Sequence, residues 1–195
     1  LPVPMKIMEI RNVGATLGQD SIDRSFRAGI IGVILVVLFI GLYYKSPGFV
    51  ADFALLIYIV IVLGVLSAIN AVLTLPGIAG IILSVGMAVD ANVLILERIK
   101  EEMADGKRLR SAIEAGFSRA FATILDSNIT TLITAAVLFF VGTGGVRGFA
   151  VTLGVGILAS MFTAVFVTRF ILDIVVDRRP DTIAKHFGRG GVKRS

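Results

Sequence analysis

The chain has 195 residues, 56% of them hydrophobic and only 17% charged, with a mean hydropathy of +0.92. Soluble domains run at about 45–50% apolar and about 25% charged, so the composition argues for a membrane protein and against a soluble enzyme. It also excludes disorder, because disordered chains are poor in Ile, Leu, Val and Phe. There is no cysteine, so disulfides, thiolate metal sites and thiol nucleophiles are excluded. One histidine, His186, lies in the polar C-terminal tail, which excludes a multi-histidine metal site. The net charge of +5 would point to nucleic acid in a soluble protein, but here the basic residues cluster between apolar spans. No nucleic-acid partner is expected.

The opening Leu1-Pro2-Val3-Pro4 lacks an initiator methionine and reads as an internal start, so the chain is expected to be a piece of something longer. Residues 1–25 mix polar and apolar positions, and Met5–Ile10 has the pattern of a short strand. Too short to fold alone, this stretch is expected to end an extracytoplasmic domain and lead into the membrane. Nothing resembles a cleavable signal peptide.

Five spans of the length a bilayer requires then follow, at about residues 27–44, 49–72, 75–96, 121–141 and 148–172. The expected fold is an all-α helical bundle of five transmembrane helices occupying residues 26–175. Basic residues concentrate in the 97–119 connector, at Lys45 and in the tail 176–195. Counting Lys and Arg places those segments in the cytoplasm and the N-terminus outside. The 97–119 connector reads as helix, turn and helix hinged at Asp105-Gly106. Its Leu109, Ile113 and Phe117 recur every four residues, which suits a helix lying on the membrane surface or one in solvent.

Asp90 is the most informative residue. It lies 14 residues beyond Pro76, so about 21 Å along the third span. A charge there costs roughly 2.5–3.5 kcal/mol on insertion scales, so the residue needs a partner or a hydrated cavity. Two readings stand: a proton or cation site, or a buried structural hydrogen bond between helices. Ala79, Leu83, Gly86, Asp90 and Glu97 share one helical face, expected to be a packed polar interior. Gly77, Gly80, Ser84, Ala88 and Ala91 form a second stripe of small residues, the kind that lets helices approach closely in lipid. No basic residue lies at the depth of Asp90, so a cationic partner would come from outside this chain.

The fourth span is polar in its first half, with Thr123, Asp126, Ser127, Asn128, Thr130, Thr131 and Thr134. Asp126, Thr130 and Thr134 share a face that could bond across helices or line a hydrated path. The fifth span carries Gly148, Thr152, Gly156, Ser160, Ala164 and Thr168 at a spacing of four, a helix-packing pattern. Gly142-Thr143-Gly144-Gly145 lacks the Lys-Ser/Thr of a phosphate loop and reads as a tight turn. The tail from Gly188 to Ser195 is basic and suits either solvent or an anionic partner, lipid or ribosomal RNA.

The run Leu75-Pro76-Gly77-Ile78-Ala79-Gly80, then Gly86-Met87-Ala88-Val89-Asp90-Ala91-Asn92-Val93-Leu94-Ile95 and Glu97-Arg98-Ile99-Lys100-Glu101-Glu102, resembles the fourth helix of the SecD family. Ala112–Phe117, Ile124–Ile133 and Val146-Arg147-Gly148-Phe149-Ala150 continue the likeness, as does Val13–Gly18 near the start. It covers about residues 1–175. The resemblance implies helices two to six of a six-helix half of the resistance–nodulation–division type. It implies a partner half, SecF, separate or fused, and work with the SecYEG translocon on unfolded preprotein, driven by the proton gradient at the cytoplasmic membrane. It maps the family's membrane acid onto Asp90, and a proton relay onto Asp90, Asp126 and Thr130, with the basic partner on the SecF half. It implies no enzyme and no cofactor. A drug or lipid exporter half of the same superfamily, or a non-conducting scaffold subunit, is the alternative.

Overall fold

The computed structural model describes residues 15–178, with side chains from Asp20 onward. The expected strand at Met5–Ile10 and the tail beyond Arg178 lie outside the described residues. Among the described residues the elements are all helical: α1 (Ala15–Tyr44), α2 (Ser46–Ala68), α3 (Leu75–Ala104), α4 (Leu109–Val141), α5 (Gly145–Phe162), a π-turn (Thr163–Val167) and α6 (Thr168–Arg178). The last three run on as one rod, so five rods are long and apolar enough to cross a membrane. The chain is a multi-pass membrane protein.

The turns are written locally. Lys45 takes a positive φ of 54°, and Pro47 opens α2, where its missing N–H costs nothing. Gly48 sits so close to α1 that a Cβ would fall 2.5 Å from the Ile40 carbonyl oxygen. At the start of α3 the Thr74 hydroxyl accepts a hydrogen bond from the Gly77 N–H at 3.2 Å, with Pro76 in the first turn. Gly106, at φ 86°, reverses the chain between α3 and α4. Pro76 and Gly145 meet at the opposite end, which fixes α3 and α4 as antiparallel neighbours. The two ends of the bundle are called here the Gly106 end and the Pro76 end.

The core is the packing of α3 against α5, with α4 and α2 on either side. α1 is held least: Ile40 is its one buried residue among those described. Most of its surface, from Ile30 to Tyr43, is apolar and exposed, as lipid contact requires.

Two features differ from the sequence expectation. α4 is one continuous helix of 33 residues, about 50 Å long, with no break between a connector helix and a span. Nothing between Leu109 and Phe121 breaks a helix except Gly116, and Gly116 is needed where it is: a Cβ there would lie 2.8 Å from the Ile99 backbone nitrogen. Ile113 and Phe117 accordingly bury against the end of α3 rather than resting on a membrane surface. The second feature is the π-turn, which interrupts the last rod where Thr163 and Thr168 bond back to their own helix.

Candidate functional site

The two stripes of α3 go to opposite sides. Gly77, Gly80, Ser84, Ala88 and Ala91 are all buried. A Cβ on Gly80 would fall 2.3 Å from the Thr152 hydroxyl, and one on Gly156 would fall 2.3 Å from Ser84. A Cβ on Gly77 would lie 3.7 Å from the Gly148 carbonyl, and one on Gly148 would lie 2.7 Å from Thr74. The small residues of α3 and α5 thus interlock, and the helix backbones nearly touch.

The other stripe corrects the expectation of a packed interior. Ala79, Leu83, Gly86 and Asp90 are exposed on the outside of this bundle. A Cβ on Gly86 would meet nothing within 4 Å, unlike one on Gly77, Gly80, Gly148 or Gly156, so among the described residues it packs against no neighbour. The Asp90 carboxylate forms no hydrogen bond or ion pair among the described residues. Glu97, lower on the same stripe, is half-buried, accepts a hydrogen bond from the Tyr44 hydroxyl at 2.9 Å, and pairs with Lys100 at 3.2 Å.

On α4, Thr123, Asp126, Ser127, Thr130 and Thr134 are likewise exposed. The Thr130 hydroxyl donates to the Asp126 backbone carbonyl at 3.0 Å, and Thr134 donates to that of Thr130 at 3.1 Å. These hydroxyls are satisfied on their own helix, while the Asp126 carboxylate forms no bond among the described residues. Asp90 lies about 21 Å from Pro76 and Asp126 about 22 Å from Val141, so antiparallel α3 and α4 hold the two acids level.

The basic residues stay away from this level. Arg147, near the Pro76 end, stacks on Phe139 at 4.4 Å, and Arg169, towards the Gly106 end, stands over Phe117 at 6.0 Å. Among the described residues, neither arginine therefore neutralises a carboxylate at this depth. Among the described residues no cluster of His, Cys, Asp or Glu could hold a metal.

Several polar residues had no role in the sequence reading. Tyr58 donates to Ser84 at 2.8 Å in the middle of the bundle. Asn92, 2% exposed, faces inward and accepts from the Thr168 hydroxyl at 2.8 Å, tying α3 to the π-turn. Its offset of two from Asp90 turns it about 200° around the helix, a signal that was there to be used. Glu102, 1% exposed, is clasped by Lys107 at 2.5 Å and Arg119 at 2.7 Å, beyond the reach of a pattern rule, since its partners lie across the Gly106 turn. Asp52 is buried in α2 at 8% exposure, and its Oδ1 has no partner.

Over residues 3–178 the chain matches the family described as protein export membrane protein SecD/SecF, C-terminal. It is 61% identical over 176 residues to the protein translocase subunit SecD of Acidaminococcus fermentans, covering 90% of this chain and 42% of that protein. It is 54% identical over 176 residues to the SecD of Synechocystis, covering 90% of this chain and 37% of the relative. It resembles the crystal structure of SecDF, a translocon-associated membrane protein, from Thermus thermophilus, at a TM-score of 0.84 and 49% identity, over 91% of this chain and 25% of that one. The chain thus spans about two fifths of the curated relatives. The chain belongs to the SecD/SecF family of protein export membrane proteins, on its SecD side.

Proposed function

We propose that this chain is the membrane part of a proton-driven accessory subunit of the Sec export machinery, with Asp90 as the group that carries the proton. The observation that supports it is the position of Asp90: exposed and unpaired on the surface of its own bundle, about 21 Å from Pro76. A carboxylate in the roughly 30 Å apolar core cannot face lipid without a large cost, so this face of α3 is covered by protein or water that the described residues do not supply. A SecF-type half, on the same polypeptide or a separate one, covers it and brings the basic group. The level position of Asp126, with Thr130 beside it, gives the proton a second oxygen site at the same depth.

The basic connector and tail face the cytoplasm, and the N-terminus faces outside. A proton entering from outside neutralises Asp90 and removes the cost of packing its face, and release to the cytoplasm restores that cost. The two halves then alternate between packings. That movement reaches an extracytoplasmic domain that holds preprotein emerging from the SecYEG translocon. No covalent chemistry is involved.

The test is Asp90→Asn in the full-length complex, in inverted vesicles, with preprotein export followed with and without a proton gradient. The gradient-dependent part of export is expected to vanish while assembly with the SecF-type half persists. If that part survives, Asp90 is a packing residue and the chain is a scaffold. If the intact protein extrudes small lipophilic compounds and leaves preprotein unaffected, it is an exporter half.

A further inference from the structure

Asp52 is the buried acid that the Asp90 site does not use. It lies on α2, six residues and about 9 Å beyond Ser46, well inside a span of high hydropathy. Its side chain is nine-tenths buried, its Oδ1 has no hydrogen-bond partner, and its Oδ2 faces Gly41 of α1, where a Cβ would sit 3.3 Å away.

The charged and titratable groups on the neighbouring elements are committed elsewhere. On α1 and α3, Tyr44, Glu97 and Lys100 bond to one another, and Arg98 pairs with Glu101 at 2.7 Å. On α6, Arg169 stands over Phe117 and Asp177 pairs with Arg110 of α4, while Asp173 and Arg178 are exposed. α5 carries only Arg147, near the Pro76 end, and the π-turn carries no charge. Tyr58, on α2 itself, is bonded to Ser84. Lys45, in the turn before α2, is exposed, and the other ionisable groups of α1 lie at its Pro76 end except Tyr43, which is exposed. Asp90 points out of the opposite side of α3 from the buried stripe. None of these groups bonds to Asp52, so an ionised carboxylate there would be desolvated and uncompensated, whereas a carboxylic acid is tolerated.

We infer that Asp52 is a second proton-binding site, separate from the Asp90 face and covered by α1. In the packing described here it holds its proton as a carboxylic acid. The cover is the helix with the least attachment to the bundle, the contact with Asp52 is made by a glycine, and the Tyr44 bond to Glu97 lies at the last residue of α1, so the part of α1 before it can draw away about the Lys45 turn. Withdrawal admits water, the O–H bond breaks, the proton leaves to solvent and the carboxylate is hydrated. Return of α1 requires reprotonation. The site thus makes the position of α1 depend on a proton.

The experiment uses the full-length protein with its SecF-type half in liposomes. Dicyclohexylcarbodiimide, which reacts with protonated carboxyls in apolar surroundings, is expected to leave an N-acylurea adduct at Asp52, read by mass spectrometry. A water-soluble carbodiimide is expected to leave none. The adduct is followed across about pH 6 to 9 and should fade as the carboxyl loses its proton. Asp52→Asn, which keeps the shape of the protonated acid, should remove the adduct and the gradient-dependent part of export with assembly unchanged. Asp52→Glu should retain part of both. Absence of the adduct throughout that range, equal reaction with the water-soluble reagent, or full gradient-dependent export by Asp52→Asn would each overturn the inference. If instead Asp90→Asn leaves export unchanged, the reading of Asp90 fails, and Asp52 stands or falls on its own adduct and variant.

Discussion

Adding one methyl group at Gly156 should force α3 and α5 apart. The Cβ of Gly156→Ala would sit 2.3 Å from both Cβ and Oγ of Ser84. Ordinary carbon contacts lie at about 3.7 Å, so the pair is short by about 1.4 Å. Ser84 Cβ is fixed to the α3 backbone, so no rotamer relieves the contact and the helices themselves must separate. Overpacking of this kind costs about 1–3 kcal/mol. The new methyl also presses on the Tyr58 hydroxyl, 3.1 Å away, and endangers its 2.8 Å bond to Ser84. An interhelical hydrogen bond in a membrane contributes about 0.6 kcal/mol on average, which brings the expected loss to roughly 2–4 kcal/mol. The assay is reversible unfolding of the full-length protein in mixed micelles, titrated with SDS and followed by circular dichroism. Ser84→Gly removes both clashing atoms, so the double variant should recover about 1–3 kcal/mol relative to the sum of the single losses. A Gly156→Ala protein within about 0.5 kcal/mol of the parent, or single losses that simply add, would refute the close α3–α5 contact.

Two further outcomes follow from the same geometry. Gly86→Leu, at a position where a Cβ meets nothing within 4 Å, should change unfolding of the uncomplexed protein by no more than about 0.5 kcal/mol. Its copurification with a SecF-type half should fall, and unchanged copurification would move the covering half to another face. Thr168→Val removes the hydroxyl that bonds Asn92 and the Thr163 carbonyl, and should cost about 0.6–1.7 kcal/mol in the same unfolding titration. Thr168→Ser should stay near the parent, and a loss as large as that of the valine variant would make the contribution one of packing.

What the sequence made legible follows from what the bilayer dictates. Each span needs about 20 apolar residues, so the rods could be counted, and the stripe from Gly77 to Ala91 announced a close helix contact because small residues have no other use in lipid. Asp90 stood out because its cost is high wherever it points. What could not be read was direction. Asp52 and Asp90 are both single acids in apolar runs, yet one is sealed under α1 and the other lies on the outside, and only the neighbouring helices decide which. Ile113 and Phe117 have the same periodicity whether they meet a membrane surface or Ile99, and the close approach at Gly116 settles it. The π-turn has no local signal in Thr163–Val167, because it is held by Thr168 and by Asn92 from another helix.

The opposite characters of the two faces of α3 bear on how a proton at Asp90 could do work. The inner face interlocks with α5 through glycine, serine and threonine contacts that leave no room for sliding. Close-packed contacts transmit displacement and do not absorb it. A change of charge on the outer face therefore cannot be dissipated by a shift of α3 within its own half. It must either move the α3–α5 pair as one body or change what lies against the Asp90 face. Both are movements of one half against another, and neither needs bending inside this chain. α1 is the exception: Ile40 is its one buried residue among those described, and Val33, Val36, Val37 and Tyr44 are only half-buried against the core. It joins the membrane bundle to the residues that precede Ala15, so the helix held least is also the one that leads out of the bundle at the Pro76 end.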